Sequence, residues 1–189
     1  MLERRFGFPV TISNDVVCSM LAERFFGHGD KSMLFIKIDR GIGAATLIDD
    51  VTVIGQNHAG GEIGHISLDP ESGVLCPCGK RGCLETMVTS PVIRERIRRA
   101  STPEEQLDII RSCGEQLAAA LAMPIGLLDI NDICVYGPPD IVNAAFLEAT
   151  QRRVDMVSSS KFHKHTSVRR CQVLSLIHIS EPTRLALIS

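Results

Sequence analysis

The sequence predicts an α/β fold class, and three observations carry that prediction. Short apolar runs, "SMLFIKID" and "DICVYG", alternate with stretches of helical periodicity. The runs "AATLID" and "VTVIG" flank Asp49-Asp50 in the manner of a hairpin. A long apolar helix precedes the next strand, and strands that alternate with helices and a hairpin indicate α/β architecture.

Each element follows from local signals. "PVTIS" reads as a short strand. Asn14 and Asp15 then open the helix "VVCSMLAERFF", stopped by Gly27 and Gly29. "SMLFIKID" is a buried strand, "RGIG" a glycine turn, and the hairpin follows. "SPVIRERIRRA" places Ser90 as cap and Pro91 at the first helical position. Thr102-Pro103-Glu104-Glu105 reads as a capping box for a helix through "LAAALAMPIGLL", with a bend expected at Pro124. "DIVNAAFLEATQRRV" is a further helix, and "VRRCQV" is strand-like. The last run, "LSLIHISEPTRLALIS", fits no element and reads as a non-native or disordered tail over 174–189.

Bulk properties narrow the function classes. The 189 residues suffice for one domain or two small lobes, and 44% are hydrophobic, ordinary for a globular chain. The formal net charge of -2 gives no electrostatic case for nucleic acid or an anionic membrane. The basic cluster "KFHKHTSVRR" reads as a solvated loop. No apolar run approaches the ~18–20 residues that span a bilayer. The first residues carry no apolar signal region, so a cytoplasmic location is expected. The cysteines number seven, and Cys18, Cys113 and Cys134 lie in apolar segments as small hydrophobes.

The chemistry concentrates in "GEIGHISLDPESGVLCPCGKRGCLE", residues 61–85. His65, Cys76, Cys78 and Cys83 form a Cys3His set suited to tetrahedral zinc. Four protein ligands would close the coordination sphere, so the metal would be structural. By analogy with zinc-finger peptides it would contribute on the order of 10 kcal/mol to folding the loop. Reduced thiols without metal are the plainer alternative. Three acids also have plain alternatives. Asp15 fits a helix N-cap, Glu62 a solvated loop charge, and Glu85 a first-turn acid on a helix dipole.

"GEIGH" followed by "CPCGKRGCLE" resembles the signature of the ROK family of repressors, open reading frames and sugar kinases. The likeness extends through "SND", "DRGIG" and "CVYGPPD", over roughly residues 8–173. The resemblance implies an actin-like ATPase, ribonuclease H-like fold with a sugar held between two lobes. On that frame residues 1–30 would end the first lobe. Residues 31–173 would form the second, with the zinc loop at 61–85. Asn14 and Asp15 match the family's Asn-Asp pair, whose Asp is the base in the kinases. Glu62, His65 and Glu85 match residues that hold the other sugar hydroxyls, and His65 would face both metal and sugar.

The kinase features depart from the family pattern. A D-x-G-x-T-like run near the start is absent. "DRGIG" carries Arg40 where the usual segment has Thr, leaving Gly41 and Gly43 as the phosphate-loop-like glycines. The later Gly-Gly turn is "YGPPD", where Pro138 and Pro139 remove two backbone donors. These departures resemble the repressor branch, with its N-acetylglucosamine and xylose regulators. The reading is therefore a sugar-binding effector domain of a transcriptional regulator and not an enzyme. It is a fragment that would reach DNA only through an N-terminal helix-turn-helix it lacks, and would be a homo-oligomer at full length. The alternative is a sugar kinase using ATP and Mg2+, with Asp15 as base. A third reading is a zinc-stabilised interaction module without a sugar.

Overall fold

The computed structural model describes residues 2–9, 13–158 and 165–173. Residues 10–12 of the expected first strand and the suspected tail 174–189 lie outside the described residues. A short helix α1 (Leu2–Phe6) precedes α2 (Asp15–Phe26). Strands β1 (Met33–Ile38), β2 (Ile42–Ile48) and β3 (Val51–Val53) come next. The loop at 61–85 contains two single 3-10 turns, Ile63–His65 and Leu84–Thr86. Then come α3 (Ser90–Arg99), α4 (Pro103–Leu128), β4 (Asp132–Tyr136), α5 (Ala144–Ser158) and β5 (Ser167–Arg170).

The five strands form one mixed sheet in the order β3-β2-β1-β4-β5. β1 pairs antiparallel with β2 and parallel with β4. β2 and β3 meet at Asp49 and Asp50, whose φ angles of 47° and 65° give the mirror-image turn that suits a two-residue hairpin. The expected hairpin is present.

Alternation along β1 splits the core into two faces. Leu34, Ile36 and Ile38 pack with Leu117, Leu121 and Phe146 on the side of α4 and α5. Met33 and Phe35 pack with Met20, Leu47 and Cys134 on the side of α2. α4 crosses α5 closely at Gly114, where a Cβ would stand 2.5 Å from Phe146 O and 2.8 Å from Thr150 Oγ1. α4 runs through Pro124 without a break and ends at Asp129 in the left-handed region, φ 50°.

Local signals shift by small amounts. Thr89, not Ser90, is the α3 cap residue, so Pro91 is the second helical residue. Thr102 caps α4 by accepting from Glu105 N, and the Glu105 carboxylate accepts from Ser101 N. α5 begins at Ala144 and not Asp140, because Asn143 Oδ1 accepts from Phe146 N. Cys113 and Cys134 are buried as expected, whereas Cys18 is half-buried.

A buried ion network ties α2 to the far edge of the sheet. Glu23 is 0% exposed, and its Oε1 lies 2.5 Å from Arg169 Nη1. Its Oε2 accepts from the backbone N–H of Gln172 (2.9 Å) and Val173 (3.1 Å). Arg169 also holds Asp132 with both Nε (2.7 Å) and Nη2 (2.9 Å). The Arg169 end of the basic cluster is therefore an internal ion pair in β5, not a solvated loop.

Burial pushes the Glu23 pKa up, but Arg169, the Cys171 thiol and the two backbone donors together hold it below its ordinary 4.5. Folding therefore favours the ionised form. The carboxylate stabilises the fold above pH 4.5, and the contribution fades as pH falls below that value. Glu23→Gln should cost roughly 3 kcal/mol in urea denaturation, because it leaves Arg169 part-buried with one partner. The variant should also flatten the acid limb of the stability–pH curve.

Candidate functional site

The loop after β3 docks on β2 through glycines. Gly61 has φ 99° and accepts from Ala44 N at 2.8 Å. A Cβ there would run into Ala44 O, so only glycine allows this seat. Gly64 is also closely seated, with a Cβ position 2.5 Å from Ile42 O. The chain then closes on itself through Leu68 N to Gly82 O and Leu84 N to Ile66 O, at 2.8 and 2.9 Å.

This folding gathers the four expected ligands. His65 Nδ1 lies 3.7 Å from Cys76 Sγ, and Cys78 Sγ lies 3.6 Å from Cys83 Sγ. One ligand atom from each of the four falls within 4.8 Å of all the others. Tetrahedral zinc with Zn–S near ~2.3 Å and Zn–N near ~2.0 Å needs ligand atoms about 3.5–3.8 Å apart; the His65–Cys76 and Cys78–Cys83 pairs match that spacing, and the Cys3His chemistry fits the ion. Burial, then the neighbouring thiols, push the Cys83 thiol up to about 11, while the Lys80 N–H favours the Cys78 thiolate. Lys80 Nζ also donates to His65 O at 2.6 Å, fixing the backbone beneath the ring.

A second group, Glu23, Cys134 and Cys171, is similarly compact. Glu23 already accepts from Arg169, Cys171 and two backbone N–H groups there. The Glu23 carboxylate is thus already satisfied by Arg169 and its other donors, so this cluster belongs to the ion network.

A cleft of about 280 Å³ opens between α2, the β1–β2 turn and the metal-type loop. Asp15, Val16, Lys37, Asp39, Arg40 and Glu85 line it, with Gly41 and Gly43. The structure thus brings Asp15 together with Glu85, with Gly41 of the turn and with Gly43, which lies not in the turn but in β2. Asn14 is the α2 N-cap, its Oδ1 accepting from Val16 N at 2.7 Å. Asp15 is therefore the first helical residue, and the capping role falls to its neighbour. Glu62 is exposed, and neither it nor His65 is among the residues lining this cleft. Glu85 Oε2 stands near the Cβ positions of Gly41 and Gly64, 3.5 and 3.2 Å away.

Lys37 was not singled out by its position in the sequence. Its Nζ meets Asp15 Oδ2 at 2.5 Å with 14% of the side chain exposed. This bond is the main cause holding the Asp15 carboxylate below the usual range. The available signal was a lone lysine inside the apolar run "LFIKI". A second cavity, about 310 Å³, lies at the ends of β1, β4 and β5 and is lined by Asp39, Tyr136, Pro138, Pro139 and Arg170 among others.

The ROK family model matches residues 1–162. The chain belongs to the ROK family. Among curated relatives, a glucokinase of Halalkalibacterium halodurans is 41% identical over 91 residues, covering 47% of this chain and 28% of that one. An N-acetylglucosamine repressor of Escherichia coli O157:H7 is 25% identical over 198 residues, covering 91% and 48%. A crystal structure of a ROK family transcriptional regulator, a homologue of the E. coli MLC protein, superposes with a TM-score of 0.76 at 25% identity. That match covers 89% of this chain and 49% of the other. The fold is the actin-like ATPase fold of the ROK sugar kinases. This ROK chain spans less than half the length of these curated relatives. Among its described residues, no helix is long and apolar enough to cross a membrane.

Gly61→Ala should detach the loop from β2, because the Cβ collides with backbone that cannot retreat. Hydrogen exchange at Ala44 and across 61–85 should speed up at least tenfold, while α4 and α5 keep their protection.

Proposed function

We propose that this ROK chain is the sugar-binding part of a transcriptional regulator, held in shape by one structural zinc ion. The observation that carries the reading is the shared cleft of Asp15 and Glu85, with Glu85 two residues beyond Cys83. A metal on His65, Cys76, Cys78 and Cys83 would anchor the chain leading to Glu85. Its carboxylate would then be set for charge-assisted bonds to sugar hydroxyls. His65 offers Nδ1 to the cysteines, which leaves Nε2 for a ligand. Asn14 and Glu62 would act at the margin of the cleft. Residues up to about 30 would close one side as the end of a first lobe. Sugar binding would favour one lobe arrangement and so shift the affinity of a separate DNA-reading domain.

Two features speak against phosphoryl transfer. Arg40 occupies the turn where a close backbone approach would suit a phosphate chain, and Pro138 and Pro139 line the second cavity without N–H donors. Phosphoryl transfer rests on positioning and charge stabilisation, which Asp15 alone does not supply. The likeness to a glucokinase keeps a sugar kinase using ATP and Mg2+, with Asp15 as base, as the second reading.

Titration calorimetry of the full-length protein with glucose, N-acetylglucosamine and xylose tests the proposal. At least one should bind without ATP turnover, and Glu85→Ala should weaken it tenfold or more. Turnover near 1 per second that Asp15→Ala abolishes would replace the regulator by the kinase.

Elemental analysis should find one zinc per chain, lost in Cys83→Ser. Chelation should lower both melting temperature and sugar affinity. A fully folded metal-free protein with unchanged affinity would remove the metal from the scheme.

A further inference from the structure

We infer that Lys37 is a ligand-reading residue, forming with Asp15 a fixed donor–acceptor pair that selects a ligand carrying a hydroxyl beside a second oxygen. The inference rests on the sugar-binding reading above and adds to it a residue and a specificity rule.

The pair is built by the sheet. Lys37 points to the α2 face with Met33 and Phe35, by the alternation of β1. Its register partner on β2 is Gly43, which has no side chain to fill the space beside it. A Cβ on Gly43 would stand 3.3 Å from Val16 Cγ2, so the first turn of α2 lies directly over this spot. Asp15, the first residue of that helix, is thereby delivered to the lysine. A lysine ammonium held at 14% exposure in a core strand loses hydration, which the Asp15 carboxylate offsets.

The bond uses one oxygen of Asp15 and one N–H of Lys37. Oδ2 takes the ammonium, and because Asp15 lines the cleft its carboxylate, with Oδ1 the second oxygen, keeps acceptor capacity for a ligand there. The ammonium carries three N–H groups, so donors remain beside that acceptor. A ligand hydroxyl can donate to Oδ1 while an adjacent ligand oxygen accepts from Nζ. Vicinal oxygens on a sugar ring present that pattern. The same ion pair makes Asp15 a poorer base, since taking a proton would break a charge-assisted bond. The pair would therefore bind a hydroxyl without ionising it. Asp39, Arg40 and Glu85 share the cleft, but Arg40 is exposed in the turn, outside the sheet that fixes Lys37.

The test uses the full-length protein with glucose, N-acetylglucosamine, xylose and the monodeoxy analogues of whichever sugar binds. Lys37→Met should weaken that sugar about tenfold, the scale of one charged hydrogen bond. One deoxy analogue should lose about as much on the wild type and lose nothing further on Lys37→Met. Lys37→Gln keeps a polar side chain for folding but lacks the charge and reach, and should show the same selective loss. It decides the matter if Lys37→Met does not fold. Variants that bind like the wild type, or that still discriminate every deoxy position as it does, overturn the inference while sugar binding stands. A wild type that binds none of the three sugars overturns the sugar-binding reading, and this inference with it.

Discussion

The hydrogen-bond ladders on both sides of Met33–Ile38 are the frame on which the cleft is built. On one side the chain returns antiparallel as β2, so Arg40 and Gly41 sit in a turn fixed at both ends, with Gly43 just inside β2. On the other side β4 runs parallel and ends beside β1, which brings Tyr136 and the Pro138-Pro139 turn to the same end of the sheet. Ligand sites of open α/β sheets lie at strand ends for this reason, because a rigid ladder ends there in adaptable loops.

The metal-type loop depends on β2 in its turn. Gly61 and Gly64 press backbone against backbone, and the Ala44–Gly61 hydrogen bond continues the sheet by one contact. Beyond that contact the loop has few buried apolar side chains, Ile63 and Leu84 being the main ones. The Cys3His cluster lies among those few, where a cation would relieve the crowding of thiols and add the cross-link that a small core does not supply. Glu85 lies two residues after Cys83 in the 3-10 turn Leu84–Thr86, so the cysteine cluster and the cleft share one short stretch of chain.

The charges are arranged to settle one another at distance. Glu23 reaches residues 169–173, and Asp15 reaches Lys37, in both cases from α2 to the sheet. These two pairs sit near opposite ends of α2. One is sealed inside the protein, and the other faces the cleft. The sealed pair fixes the helix, and the open pair presents polar atoms that a ligand can share. Arg40 lines that same cleft, and Pro138 and Pro139 line the neighbouring cavity.

Local chemistry made much of this legible from the sequence. Periodicity placed the strands and helices, Thr102 with Glu105 marked the start of α4, and Asp49-Asp50 marked the hairpin. The four metal-type ligands were legible because three of them lie within eight consecutive residues. Boundaries that hinge on a single hydrogen bond, such as Thr89 against Ser90 or the late start of α5, were decided only by the fold. So were the Lys37–Asp15 pair, the burial of Glu23 and the distance of Glu62 from the lining of the cleft. Such contacts join residues 22 to 150 positions apart, and no local pattern encodes which of several charged residues the chain will bring together. Sheet register and the seat of α2 over Gly43 decide it, and these exist only once the core has packed.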